Sequence, residues 1–305
     1  MNHRGISRRH FLSSSSTALA GGLLFSSRIV PAAAADSESK PRIVVFSKAY
    51  QVLGLSFEES AAITAEAGLD GVDVPVRPKG EIEPAKVRDD FPRYIEALRR
   101  KNLSMPLLTT AITDTSGATE AILRMAKKFG VQFYRVGFIE REGDASKQVR
   151  EVRAHLKELA ALNKEIGITA LVQNHSPSGH TYLGGDLSEL QTLVDGFDPA
   201  QIGVAFDIGH ALIVHKDAWR EKFDGIKSHL KVAYIKDASM NGRWVPFGKG
   251  DVGKSGYFKL LREMHYHAPI SLHLEYDWQQ NGKTREALVK ALRESSAVLR
   301  QWLAA

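Results

Sequence analysis

Four short apolar runs in the second half of the chain end in groups that bind metals or move protons: LVQNHSP (171–177), GVAFDIGHA (203–211), VAYIKDA (232–238) and ISLHLEY (270–276). Residues two apart on a strand share a face, so Gln173 goes with His175, Tyr234 with Lys236, and His273 with Glu275. Asp207 and His210 flank what reads as a strand-to-loop turn at Gly209. Parallel strands that deliver their C-terminal ends to one mouth would gather Gln173, His175, Asp207, His210, Lys236, His273 and Glu275 there. Imidazole together with carboxylate suits Zn²⁺, Mn²⁺, Co²⁺ or Fe²⁺ rather than Ca²⁺, whose sites are built from oxygen. Such an ion would draw its ligands from these groups. Plainer readings stand beside these. Each histidine can simply hydrogen-bond to a neighbouring loop, and Lys236 can form a salt bridge with Asp237 or Asp207.

The elements that would position these residues alternate steadily. Strands are expected over 42–46, 71–75, 104–110, 132–137, 168–174, 201–207, 231–236 and 269–275. Helices are expected near 57–67, 88–101, 116–129, 145–166, 187–195, 216–228, 255–266 and 283–302. Eight of each, with polar strand ends, predict an α/β fold, a single (β/α)8 TIM barrel over residues 36–305. An open doubly wound sheet is disfavoured because FSKAYQVLG, not a glycine fingerprint, follows the first strand.

Residues 1–35 are set apart from this pattern. SRRHFL (7–12), the apolar TALAGGLLF (17–25) and PAAAA (31–35) read as a twin-arginine export signal, so a periplasmic or secreted protein beginning near Asp36 is expected. The apolar stretch is shorter than the ~20 residues of a spanning helix, so no stable membrane insertion is expected. The formal charge of +6 belongs largely to this segment, which holds four arginines and no acid. Nucleic-acid binding therefore gains no support. The chain has no cysteine, which excludes disulfides and thiol chemistry.

The runs VQNH, FDIGH, YIKD and ISLHLE, spaced along an eightfold α/β pattern, resemble the sugar phosphate isomerase/epimerase superfamily. These are the xylose-isomerase-like barrels of AP endonuclease family 2. The resemblance spans residues 42–302. FDIGH matches the family's Asp-x-Gly-His, and PFGKGDVGKSGYFKLLREMHYHAPISLHLE matches its closing loop, helix and final strand. Where single-metal members carry a Glu on strand five, this chain has Gln173; where they carry a His on strand seven, it has Tyr234; in place of the last Glu stands His273. Only Asp207 keeps its identity. The resemblance thus implies a rewired divalent-metal site, with Asp207, His273, Glu275, His175 and Gln173 as ligands and His210 nearby, and argues against aldose–ketose isomerisation through two carboxylates.

The VQNHSP and ISLHLEY variants are similar to 3-keto-glycoside eliminases and hydratases built on this barrel. That implies a small carbohydrate substrate whose C2 proton, acidified by a C3 carbonyl, is removed before the C1 aglycone leaves. The roles implied are His175 or His210 as base and Lys236 as oxyanion stabiliser or acid, with Asp207, His273 and Glu275 holding the metal. An epimerase acting through the same enolate is the alternative, and a non-catalytic sugar-binding barrel the alternative of another class.

GKGDVGKS (248–255) satisfies the P-loop pattern, but NGRWVPF rather than a buried strand precedes it, so phosphate binding is not expected. Lys249 in that segment could still line a substrate's polar edge, and Tyr234 could touch substrate from the barrel. Arg135 either reaches substrate or, the first reading, pairs with a barrel carboxylate. Trp244, Phe247, Tyr276 and Trp278 could stack on a sugar or cover an interface in a homo-oligomer.

Overall fold

The computed structural model describes residues 40–280 and 282–305. The expected export signal lies outside the described residues. Eight parallel strands close in sequence order, β1 to β8, into a barrel. They are β1 (Ile43–Phe46), β2 (Gly71–Val76), β3 (Ser104–Thr110), β4 (Phe133–Arg135), β5 (Thr169–Gln173), β6 (Ile202–Asp207), β7 (Leu230–Ile235) and β8 (Ile270–Leu272). The helices outside it are α1 (Lys48–Gln51), α2 (Phe57–Glu66), α3 (Val87–Arg99), α4 (Gly117–Lys128) and α5 (Ala145–Ile166). They continue as α6 (Leu187–Val194), α7 (Ile208–His215), α8 (Trp219–Asp224), α9 (Tyr257–Glu263) and α10 (Arg285–Ala304). Among the described residues no helix is long and apolar enough to cross a membrane.

Parallel strands covered on both faces must be apolar on both, and IVVF, TALVQ and IGVAFD are fully buried. Their outward residues join the helices in the main core. Leu107, Leu171, Ala205 and Val232 form a separate interior plug with Tyr234. The interior is therefore filled up to a polar layer, and chemistry is confined to the mouth above it. Helix starts follow local signals: Ser56 and Glu59 form a capping box on α2, and Asp144 and Asp186 cap α5 and α6. Gly167, at φ 77, closes α5 in the left-handed conformation.

Three expectations need correction. A helix begins immediately after β6, where the sequence suggested a turn at Gly209. The run IGHALIVH continues the apolar strand without a polar face, so neither period is visible in it. The helix expected over 216–228 is broken into a 3₁₀ turn, the six residues of α8 and a second 3₁₀ turn, because Lys216 has φ 51 and ends α7. Finally, β5, β7 and β8 stop at Gln173, Ile235 and Leu272, so His175, Lys236, His273 and Glu275 lie on the coil just beyond the strands.

Close strand approach is demanding at Gly71, where β2 shifts register against β3. A Cβ there would stand 2.0 Å from the Ser104 carbonyl oxygen. Gly71→Ala is expected to destabilise the barrel by about 1–3 kcal/mol, the usual cost of overpacking, and an unchanged melting temperature would contradict this packing.

Candidate active site

Asp207 ends β6 and caps α7, with Oδ1 accepting the His210 backbone N–H at 3.2 Å. Its position is fixed from the side by Asn174. The Asn174 amide donates to the Asp207 carbonyl at 2.9 Å and accepts the Asp207 N–H at 2.8 Å. Oδ2 faces the mouth, where Lys236 Nζ lies at 3.1 Å and Gln173 Nε2 donates at 3.3 Å. Burial pushes the Asp207 carboxyl up, against the pull of Lys236 and the helix N-terminus. Gly209 permits this closeness, since a Cβ there would meet the Lys236 carbonyl and the Trp244 ring at 3.1 Å. Trp244 in turn lies 4.8 Å beneath the Lys236 ammonium and 4.9 Å, edge-on, from His210.

Lys236 pairs with Asp207 rather than Asp237, because the Asp237 carboxylate is already occupied. It accepts the backbone N–H groups of Ala238, Gly248, Gly250 and Val252 at 3.0, 2.8, 2.9 and 3.3 Å. The amides of the P-loop-like segment thus wrap a carboxylate of the chain itself.

Hydrogen bonds with only one possible direction fix the histidine tautomers. His175 Nδ1 lies 2.7 Å from the Ser176 carbonyl oxygen, which can only accept, so the ring is protonated there and Nε2 is its base. His210 Nδ1 receives the Ser176 backbone N–H at 3.1 Å and lies 2.8 Å from its hydroxyl. Nδ1 must accept, so His210 carries its proton on Nε2. This corrects the expectation that His210 serves as base; it is a neutral donor. Among the described residues that Nε2 is buried without a hydrogen-bond partner, 3.8 Å from Asp207 Oδ2. The His175 and His210 rings lie 3.8 Å apart.

His273 is held from below. Ser271 Oγ donates to Asp73 Oδ2 at 2.9 Å, which leaves it to accept from His273 Nε2 at 3.1 Å. Nδ1 is then the basic nitrogen of His273. Asp73 also accepts from Thr109 at 2.8 Å, and burial pushes its carboxyl up to about 6. Asn174, Ser176 and Ser271 went unread in the sequence, where only the adjacency of Ser176 to His175 hinted at any of them; Asp73 was legible only as a polar residue, beside Arg77, at the end of the second strand.

The divalent-metal set does not assemble. Among the described residues no group of three or more His, Asp or Glu side chains could hold an ion. The donor chemistry explains why. The Asp207 oxygen that would bind a cation faces an ammonium, and the Gln173 amide presents N–H to it. Glu275 pairs with Lys48 at 3.6 Å, and His273 Nε2 is spent on Ser271. The residues as placed do not fit the metal.

Other candidates are also redistributed. Tyr234 is fully buried, its ring 4.5 Å from His273, and forms floor rather than a substrate contact. Lys249 is exposed and joins no contact of the cluster. Arg135 is buried inside the barrel; it makes no contact ion pair among the described residues, but it and the buried Asp73 carboxylate attract each other, a looser form of the first reading. Phe247 stacks on Trp302 and Trp278 is buried in the core, so Trp244 alone of the four aromatic residues touches the cluster.

Residues 61–302 match the xylose isomerase-like TIM barrel family. The chain belongs to that family. Among curated proteins none matches it in sequence. Solved structures share the fold at low identity. D-psicose 3-epimerase from Clostridium cellulolyticum H10 is similar with a TM-score of 0.67 and 11% identity, over 86% of this chain and 99% of that one. For 3-keto-D-glucoside 4-epimerase from E. coli the TM-score is 0.66 and the identity 15%, over 86% and 100%. A D-tagatose 3-epimerase-like protein gives 0.64 and 18%, over 86% and 97%.

Burial, with the Lys236 charge adding to it, lowers His175 from 6.5 to about 4. The ring is neutral in the folded chain and protonated in the unfolded one between these values. Stability is therefore lost as the pH falls from about 6.5 towards 4. NMR titration should find His175 neutral down to about pH 4. Lys236→Met, which removes a repelling cation, should move the midpoint upward, and an unmoved midpoint would contradict the assigned coupling.

Proposed function

We propose that this protein is a sugar enzyme that removes a proton from the carbon beside a carbonyl and stabilises the resulting enolate with protein donors alone. The observation that carries the reading is the buried, unpartnered His210 Nε2–H beside the Lys236 ammonium. Two donors next to one another in a dry site suit an oxygen on which negative charge develops, and the cost of leaving such a donor unpaired is relieved when that oxygen arrives.

In the reaction, His175 Nε2 takes the proton from the α-carbon. The C–H electron pair forms the C=C bond, and the carbonyl π pair moves to oxygen, facing Lys236 and His210. Gln173 and Asn174 keep Asp207 in place beside Lys236. Delivering a proton to the opposite face of the carbon inverts it; His273 can do so once Nδ1 has taken a proton from water, and the proton held by His175 then passes back to water. When the neighbouring carbon carries a leaving group, the enolate collapses by expelling it.

A 3-keto sugar fits both outcomes, because its carbonyl acidifies C2 and C4. Loss of the C2 proton leads to departure of the C1 aglycone, and loss of the C4 proton to epimerisation. The similarity to a 3-keto-D-glucoside 4-epimerase supports this substrate class. The twin-arginine pattern supports an exported enzyme acting on unphosphorylated sugars.

Purified protein incubated with a 3-keto-glucoside in D₂O is expected to exchange deuterium into C2 or C4. His175→Gln should slow exchange by about 10²–10⁴-fold, and Lys236→Met by about 10²–10³-fold. A chelator should leave the rate unchanged. One transition metal per chain by elemental analysis, lost in His273→Ala together with activity, would overturn the metal-independent reading; no exchange by the wild type into any keto sugar would leave a binding protein.

A further inference from the structure

Charge at the mouth is balanced in all but one place. Lys236 is neutralised by Asp207 at 3.1 Å and Lys48 by Glu275 at 3.6 Å. Both oxygens of Asp73 are taken by the hydroxyls of Thr109 and Ser271. Arg135 and Arg77 take part in no ion pair among the described residues. Arg135 is only 2% exposed, and of its five N–H donors one is engaged, Nη1 donating to the Val136 carbonyl at 2.6 Å. Its guanidinium lies 4.2 Å over the Phe138 ring.

A buried guanidinium with no carboxylate in contact is costly: the Asp73 carboxylate attracts Arg135 without forming an ion pair with it, and Arg77 adds a second cation. Burial foremost, joined by repulsion from Arg77 and opposed by the attraction of Tyr234 and Asp73, pulls Arg135 down to about 10, which leaves it charged at neutral pH. Arg77, at the end of β2, lies 6.0 Å from the Phe46 ring. Each arginine thus rests against an aromatic ring that also touches a histidine: Phe138 lies 4.9 Å from His175, and Phe46 4.7 Å from His273.

We propose that Arg135, aided by Arg77, forms an anion subsite that binds a carboxylate of the substrate, so that the sugar is an acidic one. The proposal rests on the reading of the site as a sugar enzyme and names the class of sugar. The planar fork of Arg135 suits a two-pronged carboxylate, which supplies the contact partner that Asp73 does not. Phe138 separates Arg135 from His175 by one aromatic ring. The carboxylate and the carbon losing its proton therefore belong to the same monosaccharide unit. A phosphate would present the same charge, and the expected export of the chain favours the carboxylate.

Calorimetric titration of the wild type with D-glucuronate, D-glucose and inorganic phosphate tests the subsite without turnover. Glucuronate is expected to bind saturably and at least 10-fold more tightly than glucose. Arg135→Met should lose that preference and Arg135→Lys should recover it only in part. Thermal melting checks folding: Arg135→Met without ligand should still melt in one cooperative transition. Binding of phosphate but not glucuronate keeps the anion subsite and assigns it to a phosphorylated sugar. Glucose bound as tightly as glucuronate, no binding of either anion, or full affinity in Arg135→Met overturns the proposal. Deuterium exchange into neutral keto sugars alongside such a failure would sink the subsite and keep the proton-transfer reading; glucuronate binding without any exchange would do the reverse.

Discussion

The pair formed by Asp207 and Lys236 is the constraint around which the mouth of the barrel is arranged. Asp207 is 0% and Lys236 4% exposed, so neither charge is solvated and each requires the other. Removing one partner of such a pair typically costs about 3–5 kcal/mol, much of it from the charge left behind. The surroundings follow from that requirement. α7 must start at the next residue so that its N–H groups reach Asp207, Gly209 must lack a side chain so that α7 can lie against Lys236, and Trp244 must offer its face to the ammonium. A site built around an internal cation of this kind has its positive charge covalently attached.

Serine placement then divides otherwise equivalent imidazoles among different tasks. Ser176 contacts two of them at once: its carbonyl accepts from His175 Nδ1 and so holds the proton there, while its amide and hydroxyl donate to His210 Nδ1 and so keep that atom bare. The two rings, in contact with each other, therefore face the mouth as opposites, one accepting and one donating. Ser271 does the same for His273, with Asp73 as its anchor. All three rings are held below their ordinary pKa by burial, so they work as neutral groups and none competes with Lys236 as the site's cation.

Much of the architecture was legible because parallel strands buried on both faces leave continuous apolar runs, and all eight fall within a residue or three of their expected limits. α7 was not, since IGHALIVH extends such a run with no polar face. Residue types at the site were legible from the strand ends, but their roles were not. The partner of Lys236 could not be chosen between Asp207 and Asp237, because the choice is made by backbone amides contributed from ten and more residues downstream. The metal expected from imidazole and carboxylate types failed for a similar reason. Composition records which donors are present, whereas Lys236, Lys48 and Ser271 decide which of them are still free.

The carboxylate of Asp237, enclosed by four amides of the loop that follows β7, has a kinetic meaning. Trp244 sits within that loop, tied back by its bridge to Ala238 and by the Val245 amide on the Asp237 carbonyl at 3.1 Å. The loop is folded around its own anion before any sugar arrives, so its ordering entropy is spent during folding and not on association. This side of the mouth behaves as a fixed wall, and a visitor is admitted at a rate set by diffusion and orientation with no wait for the wall to close.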